Sequence, residues 1–559
     1  MGLSDFNILG NDKRKRTYIL PKKVVWQGTG VANGEYLVNA RVPQIYPRVP
    51  ENATLSTQNG EKGSILLDFG SELAGSLEIL VSRGISDKEN GVTMLVRFGE
   101  SVSEAMTPLG NKHACNNHST RDMTVLLTAN SQQTFGDTGY RFVYLELLDE
   151  DAYVDLAGVR AVLTYRDIPY LGSFSCDDPL LEQIYNVSAY TVHLNMQNML
   201  WDGIKRDRLV WIGDVHPEML AIRTVFGANE IIDDSLRFIA NAYPLPSWPN
   251  RFTTYGFWYL KILWDWYYYT GNEKLVIELK EYWRSLLEQI FELIHVDEDE
   301  LLKEEEFIAG FFVDWPTRDT KEAKAGIYAL LRLALIAGSN LCELVEDTIV
   351  QKQCSRYAEL LKKDSLIHND RKQIVALLNF ADMTDNETCK QVLPKDGGRG
   401  MSTFMSYYIL AATAKNVSIE CAQDMLKEYY GAMLDAGATT FWEDFDLDWV
   451  RENATIDRML LPGEYDIHGD NGRFCYQGMR HSLCHGWSAG PTAFLAEYIL
   501  GIQILEPGCK KIEIKPNLGH LTWAKGTYPT PYGVISVDIH RDGDEIFTTV
   551  DAPTEITIV

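Results

Sequence analysis

The sequence predicts a multidomain protein of mixed α and β class, a closed α/α toroid flanked by an N-terminal and a small C-terminal β-sandwich. Two observations carry this prediction. Hydrophobic periodicity changes twice along the chain, and clusters rich in acids and tryptophan recur at three points between helices, which a closed ring would bring together.

Residues 1–170 make the first module. Its runs SILLDFG, GSLEILVSR, VTMLVRFGE, MTVLLTA, YRFVYLELL and VRAVLTY alternate apolar and polar positions between Gly, Asn and Asp, the pattern of antiparallel strands joined by turns. Residues 171–503 carry the helices. From Asp177 the apolar spacing lengthens to i, i+3, i+4 and i+7, as in LLEQIYNVSAYTVHLNMQNML, YGFWYLKILWDWYYYTG and KAGIYALLRLALIAGSNLCELV. Stops such as Tyr269-Thr270-Gly271-Asn272 end them. No clean self-similarity of roughly 33 to 40 residues recurs, which argues against a solenoid. Aromatic-rich helices joined by carboxylate-bearing loops favour the toroid, with the loops around a central pocket. Residues 504–559 return to alternation in KKIEIKPN and EIFTTVD, the small C-terminal β domain.

Composition narrows the function. Lys plus Arg is 52 and Asp plus Glu is 78, a formal charge of −26, so phosphate backbones and anionic membranes are poor partners. Hydrophobic residues at 45% and charged residues at 23% are globular values. Aromatics reach 11%, with 13 Trp and 28 Tyr, enough to fill large cores or to wall a pocket for sugar rings. The start MGLSDFNILGNDKRKRTYILPKK lacks the apolar core of a signal peptide, and no apolar run approaches a bilayer span. A cytoplasmic location is expected, or a periplasmic one if a leader has been removed. Nine cysteines without a CxxC pair read as reduced, mostly structural thiols.

Three clusters could carry chemistry. Trp201 to Asp214 mixes Asp202, Asp207 and Asp214 with Lys205, Arg206 and Arg208 between two tryptophans. A charge run is usually a solvated helix face. Interleaved Trp201, Ile204 and Trp211 argue for burial, where bases hold some carboxylates ionised and apolar neighbours raise the pKa of others. Carboxylates with divergent pKa values are what general acid catalysis requires. The second cluster, Gly437 to Trp449, embeds Glu443, Asp444, Asp446 and Asp448 among aromatics. Asp444, Asp446 and Asp448 take the first ligand positions of a calcium loop, but Trp449 and Thr455 stand where it needs Gly and Glu. Asp446 and Asp448 then read as solvated loop acids, and Glu443 beside Trp442 is the functional candidate. The third cluster holds His481 and His485, which lack the H-E-x-x-H pattern, so hydrogen bonding to a polar ligand is favoured over a metal. Neither G-x-G-x-x-G nor a P-loop occurs, and no cofactor is expected. Acids among aromatic walls point to glycoside chemistry, in which one carboxylic acid protonates the leaving oxygen and a carboxylate activates water or attacks.

At these residues the sequence resembles the bacterial α-L-rhamnosidases of glycoside hydrolase family 78. KRDRLVWIGD looks like the R-D-E-R-x-G-W-x-G-D signature, GATTFWE like G-A-T-T-x-W-E, and HSLCHGWSAG is similar to S-[LF]-N-H-x-x-x-G. The tail PGCKKIEIKPNLG and LTWAKGTYPTPYG is close to the family's C-terminal module, so the resemblance covers roughly residues 20 to 559. It implies a six-hairpin (α/α)6 barrel and an inverting hydrolase that releases terminal α-L-rhamnose or a related deoxyhexose. Anchored on Trp211 and Asp214, the family's general-acid Glu falls on Asp207, its preceding Arg on Lys205 and its leading Asp on Trp201, with Arg206 and Asp202 one place later. The resemblance thus implies Asp207 as acid, kept protonated by a tryptophan setting, and Glu443 as base, with Glu464 as a rival base. It gives Asp202, Lys205, Arg206, Trp211, Asp214 and His485 as sugar contacts, and Trp258 and Trp315 as aromatic walls. The expected partner is a small glycoside, and a homodimer is compatible with all of this.

Two other readings stay open. Another toroid enzyme, such as a polysaccharide lyase, would use Tyr255, Arg251 and His485. A catalytically weakened carbohydrate-binding homologue would account for Asp at the acid position.

Overall fold

The computed structural model describes residues 12–39, 44–45, 52–87, 91–296, 301–302, 310–318, 320–363, 366–472 and 475–559. Residues 1–11, the first part of the N-terminal stretch considered above, lie outside these.

The N-terminal module is built on three long strands, Ser64–Ile85, Ser131–Leu147 and Tyr153–Arg166, flanked by shorter ones in a nine-stranded antiparallel sheet. Ser64–Ile85 pairs with Ser131–Leu147 along both its arms, and the register shifts between Asp68 and Leu73 and again between Gly75 and Leu77. These bulges bend the strand, so that Ile65 and Leu67 from one arm meet Leu77 and Ile79 from the other in one core. Gly75 permits the bend. At φ 151 it lies so close to Val162 that a Cβ would stand 2.0 Å from the carbonyl oxygen.

Helices follow from Pro179. Among the described residues six inner helices close a ring, each touching the next: Ile212–Val225, Thr253–Thr270, Ala323–Leu344, Lys372–Phe380, Ser406–Asn416, and Pro491–Phe494 with its π-turn continuation Leu495–Ile499. The last packs back on the first. Outside them lie Pro179–Asn195, Glu230–Ala242, Lys280–Phe291, Thr348–Leu360, Asn386–Val392 and Ile419–Asp435. Inner helices are apolar on all sides because both faces are covered, as in TTYGFWYLKILWDWYYYT. Ala323–Leu344 is a sharper case. By length and composition it could cross a membrane, contrary to the expectation that no run does, yet 83% of its most apolar window is buried inside the ring.

The C-terminal module has a three-stranded sheet, Ile502–Ile504, Lys511–Ile514 and Thr557–Ile558, and a four-stranded one. The latter joins Trp523–Thr530, Gly533–Asp542 and Glu545–Asp551 to Ser173–Cys176, a strand donated from just before the helix that starts at Pro179.

The middle of the ring is plugged by aromatics. Trp258, 1% exposed, packs on His216 at 5.0 Å, Tyr408 at 5.8 Å and Phe404 at 6.2 Å between ring centroids. His216 is fixed between the Tyr408 hydroxyl at 2.6 Å and Asp265 at 2.9 Å, and burial lowers its pKa to about 4, leaving it neutral. Trp258→Ala would open a cavity no neighbour can fill, and we expect a loss of about 3–5 kcal/mol in chemical denaturation. A loss below about 1 kcal/mol would show that the plug collapses around the gap.

Candidate active site

The cavity opens where the chain enters the inner helices. Trp211 precedes Ile212–Val225, Phe252 precedes Thr253–Thr270, Trp315 and Arg318 precede Ala323–Leu344, and His485 and Trp487 precede Pro491. Here the three sequence clusters are stitched together by backbone. Gly203 and His485 form a β-bridge, and the Gly486 amide donates to the Asp202 carbonyl at 2.8 Å. The His485 amide donates to the Phe441 carbonyl at 3.0 Å, and the Glu443 amide to the Ser482 carbonyl at 3.0 Å. Loops hundreds of residues apart thus face a cavity of ≈ 200 Å³. Asp202, Asp207, Asp214, Glu443 and His485 supply its polar groups. Trp211, Phe252, Tyr255, Phe312, Trp315, Tyr476 and Trp487 make the walls, with exposed Arg318 at the rim. A few convergent polar groups in an aromatic cleft are the usual make-up of a small-ligand site.

Glu443 is held from several sides. Its Oε2 accepts from the Arg206 guanidinium and from the Ser482 amide at 3.3 Å, and its Oε1 from the Cys475 thiol at 2.8 Å. Its carbonyl accepts from the Thr403 hydroxyl at 2.6 Å and the Trp487 indole at 2.9 Å. Burial would raise its pKa, but the positive charge of Arg206, with His485 and His481, outweighs it and holds the carboxyl well below the usual range. Glu443 is therefore ionised at neutral pH. The neighbouring Asp444 is pushed up to about 7 by burial and by Asp314 and Glu443.

Asp207 sits at the tip of its loop with φ 55, followed by Arg208 at φ 57. The tip is tied down on both flanks, by Arg208 donating to the Asp137 carbonyl at 2.8 Å and stacking on Trp201 at 4.5 Å, and by Arg206 donating to the Arg480 carbonyl at 3.0 Å. The side chain stays 11% exposed, with Arg206 Nη1 at 3.0 Å and His118 Nδ1 at 3.4 Å. One guanidinium, stacked on Tyr476 at 3.5 Å, thus touches both Asp207 and Glu443.

The far side of the cavity is a second charged group. His485 Nε2 meets Asp214 Oδ2 at 3.0 Å, and the Tyr255 hydroxyl donates to Asp214 Oδ1 at 3.5 Å. Burial lowers the pKa of His485, but Asp214 and Glu443 overcome this and raise it. Asp202 is pushed well above the usual carboxylate range by burial, opposed by His485, and its Oδ1 accepts from the Leu209 amide at 3.0 Å. Behind them lies Glu218, fully buried, so close to Gly486 that a Cβ there would stand 1.7 Å from Glu218 Oε1. Gly486→Ala is therefore expected to displace the His485 loop and to lower both the melting temperature and ligand affinity; wild-type values of both would show that Glu218 moves aside.

Most predicted site residues converge here: Asp202, Asp207, Trp211, Asp214, Trp315, Glu443 and His485 line the cavity, and Arg206 reaches its two carboxylates from behind. Three expectations need correction. Lys205 points the other way, into Glu100 at 2.8 Å and Glu104 at 3.3 Å, where two buried carboxylates and the carbonyls of Met479 and His481 compensate its charge. Trp258 belongs to the plug within the ring and lines no part of the wall. Asp207 shares the cavity with Trp211 and Trp315, but its setting is not purely apolar, since Arg206 and His118 are its polar neighbours. Glu464, the rival base, is an outer-surface residue paired with Arg458 at 2.7 Å. Asp448 is likewise exposed and paired with Arg399. Sequence reasoning gave no role to Tyr476, Cys475 or Trp487; the aromatic excess signals the two rings, Trp487 also stands in the HSLCHGWSAG stretch, and nothing in the sequence marks Cys475. Glu100, Glu104 and His468 are close enough together to hold a metal, but the Lys205 ammonium already lies between the two acids.

The chain is similar to known proteins in sequence and in fold. Residues 169–338 match the family model described as bacterial alpha-L-rhamnosidase 6 hairpin glycosidase domain, and residues 501–559 match the bacterial alpha-L-rhamnosidase C-terminal domain. An alpha-L-rhamnosidase of Formosa agariphila is 25% identical over 163 residues, which is 28% of this chain and 16% of that protein. In fold, the chain is similar to a GH78 family rhamnosidase of Bacillus sp. GL1, with a TM-score of 0.74 and 22% identity over 94% of this chain and 55% of the other. A rhamnosidase from Klebsiella oxytoca with rhamnose bound gives a TM-score of 0.64 and 18% identity over 87% of this chain and 96% of that one. The chain therefore spans about half the length of the Bacillus protein and a sixth of the curated relative.

Proposed function

We propose that this chain, which carries the six-hairpin and C-terminal domains of the bacterial α-L-rhamnosidases, is a glycoside hydrolase that releases terminal α-L-rhamnose or a related deoxyhexose. The observation that carries the proposal is that Asp207 and Glu443 face one aromatic-walled cavity from separate loops. Asp202, Asp214 and His485 offer hydrogen-bonding groups to ring hydroxyls, and Phe252, Phe312 and Trp211 offer an apolar surface to the methyl group of a deoxy sugar.

In this mechanism Asp207, on the loop tip, gives its proton to the leaving oxygen. Glu443, ionised, takes a proton from a water attacking the opposite face. Its Oε2 is committed to Arg206 and Ser482, so the water binds at Oε1, sharing that atom with the Cys475 thiol. Inversion requires room for that water, with the two carboxyl groups roughly 6.5–9.5 Å apart around the bound sugar. A panel of aryl glycosides tests the substrate: α-L-rhamnosides should release their aglycone, and cleavage of other sugars only would overturn the assignment. Proton NMR of the first-formed sugar tests the stereochemistry, since a product with the substrate's own anomeric configuration is incompatible with inversion.

The lyase reading is disfavoured by Tyr255. Its phenol is fully buried and beside Asp214, and both burial and that charge push its pKa well up, the wrong direction for a base.

A further inference from the structure

Lys205, pointing away from the cavity, lies in a buried charge cluster that belongs to the N-terminal module. The strand Val92–Gly99 runs directly into the short helix Val102–Met106, which Ser101 caps by accepting the Glu104 amide at 3.0 Å. This junction drives Glu100 and Glu104, both 0% exposed, against the catalytic ring. Glu100 Oε2 accepts from the Leu483 amide at 2.6 Å and faces Lys205 Nζ at 2.8 Å; its Oε1 accepts from the Ser482 hydroxyl at 3.3 Å. Lys205 Nζ in turn donates to the carbonyls of His481 at 2.5 Å and Met479 at 3.1 Å. Apart from Met479, these partners are or adjoin groups that bond Glu443. The Ser482 amide and carbonyl both bond to Glu443, His481 Nε2 accepts from the Asp444 amide at 3.0 Å, and Lys205 is followed in the chain by Arg206.

We propose that Glu100 is a positioning residue, which fixes the Glu443 carboxylate and the Arg206 guanidinium through Lys205, Ser482 and Leu483 without touching substrate. The inference rests on the hydrolase reading above. Burial pushes Glu100 up to about 7 against the opposing charge of Lys205, so the group is only partly charged near neutrality and its hold on the segment comes from the hydrogen bonds of the Leu483 amide and the Ser482 hydroxyl. Glu104, Glu72 and Cys484 also face Glu100, and Arg206, His485, His481, Asp214, Asp444 and Cys475 face Glu443. Loosening the relay would therefore move the atoms that keep Glu443 ionised, and a purely structural acid would not alter that ionisation.

The test compares Glu100→Gln, Lys205→Met and the double variant in the full chain. Glu100→Gln should lower kcat on the order of 10²-fold with KM nearly unchanged, the cost expected for a misplacement of about 1 Å. The acid limb due to Glu443, which lies below the ordinary carboxylate range in the wild type, should shift upward into that range. Because both residues act in one relay, the double variant should be no slower than the slower single one. A folded Glu100→Gln protein with wild-type kcat and an unmoved acid limb overturns the proposal, as does full multiplication of the two single effects. If Glu100→Gln fails to fold, Ser482→Ala removes the hydroxyl link to Glu100, together with the local contacts of that hydroxyl to Cys484, and should still cost roughly tenfold in kcat; wild-type kcat there overturns the proposal. A crystal structure of whichever variant folds separates this idea from the hydrolase reading. The Ser482 amide and Arg206 remaining on Glu443 Oε2 would sink the positioning role, whereas a wild-type protein inactive on every glycoside would sink only the function.

Discussion

Glu443→Gln is expected to lower kcat on α-L-rhamnosides by about three orders of magnitude or more, a barrier increase of about 4 kcal/mol. Gln keeps the shape and can still accept a hydrogen bond from Arg206, but it cannot take a proton from water. Folding should survive. The charge lost is one the native state stabilises: the carboxyl sits well below the usual range, so its contribution to stability is present above the unfolded value and vanishes only as pH falls through the lowered native one. The Gln variant should therefore melt at a lower temperature than wild type at neutral pH, with the difference closing in strong acid. The same depression predicts that Glu443 gives the free enzyme no acid limb in the ordinary carboxylate range. Near-full turnover by Glu443→Gln on every rhamnoside would end its assignment as the base.

Asp207→Asn should also reduce turnover by about 10²- to 10⁴-fold, but only where the leaving group needs a proton. On a dinitrophenyl rhamnoside, whose phenolate leaves unaided, the variant should approach the wild-type rate, while on an alkyl or sugar aglycone the loss should be full. Glu443→Gln should be slow on both. That contrast separates acid from base without a structure of the complex. Equal losses by Asp207→Asn on both kinds of substrate would instead place Asp207 among the sugar-binding groups and leave the acid to Asp202 or Asp214, whose pKa values burial raises.

The site was readable in sequence to the extent that its residues are local to a cluster. Asp202, Asp207, Asp214, Glu443 and His485 each stand in a stretch where acids or histidine alternate with tryptophan and glycine, a pattern without use on a solvated face. What no local pattern encodes is direction. Lys205 and Arg206 are neighbours of like charge, and only the packed loop decides that one turns to Glu100 and the other to Glu443. Trp258 sits in a helix that is apolar on all sides, so periodicity cannot say whether it faces the cavity or the plug. Glu100 comes from the strand-end sequence RFGES, and nothing there marks a contact with residues 482 and 483. The fold shows the same limit. Strand periodicity defined both β modules, whereas the pairing of Ser173–Cys176 with Trp523–Thr530 joins segments some 350 positions apart and leaves no periodic trace.

The tip at Asp207 and Arg208 sets a trade between reach and backbone cost. Two successive residues in the left-handed region are tolerated best when the side chain is short and polar, which favours aspartate over glutamate at φ 55. A loop built this way delivers its carboxyl by lifting the main chain toward the ligand, where a glutamate would deliver it by length. Restoring the longer residue with Asp207→Glu should therefore overshoot. The variant would have to relax the tip to an ordinary conformation, giving up the Arg208 contacts that anchor it, and a slower enzyme with a more protease-sensitive 201–211 loop is the outcome this geometry demands.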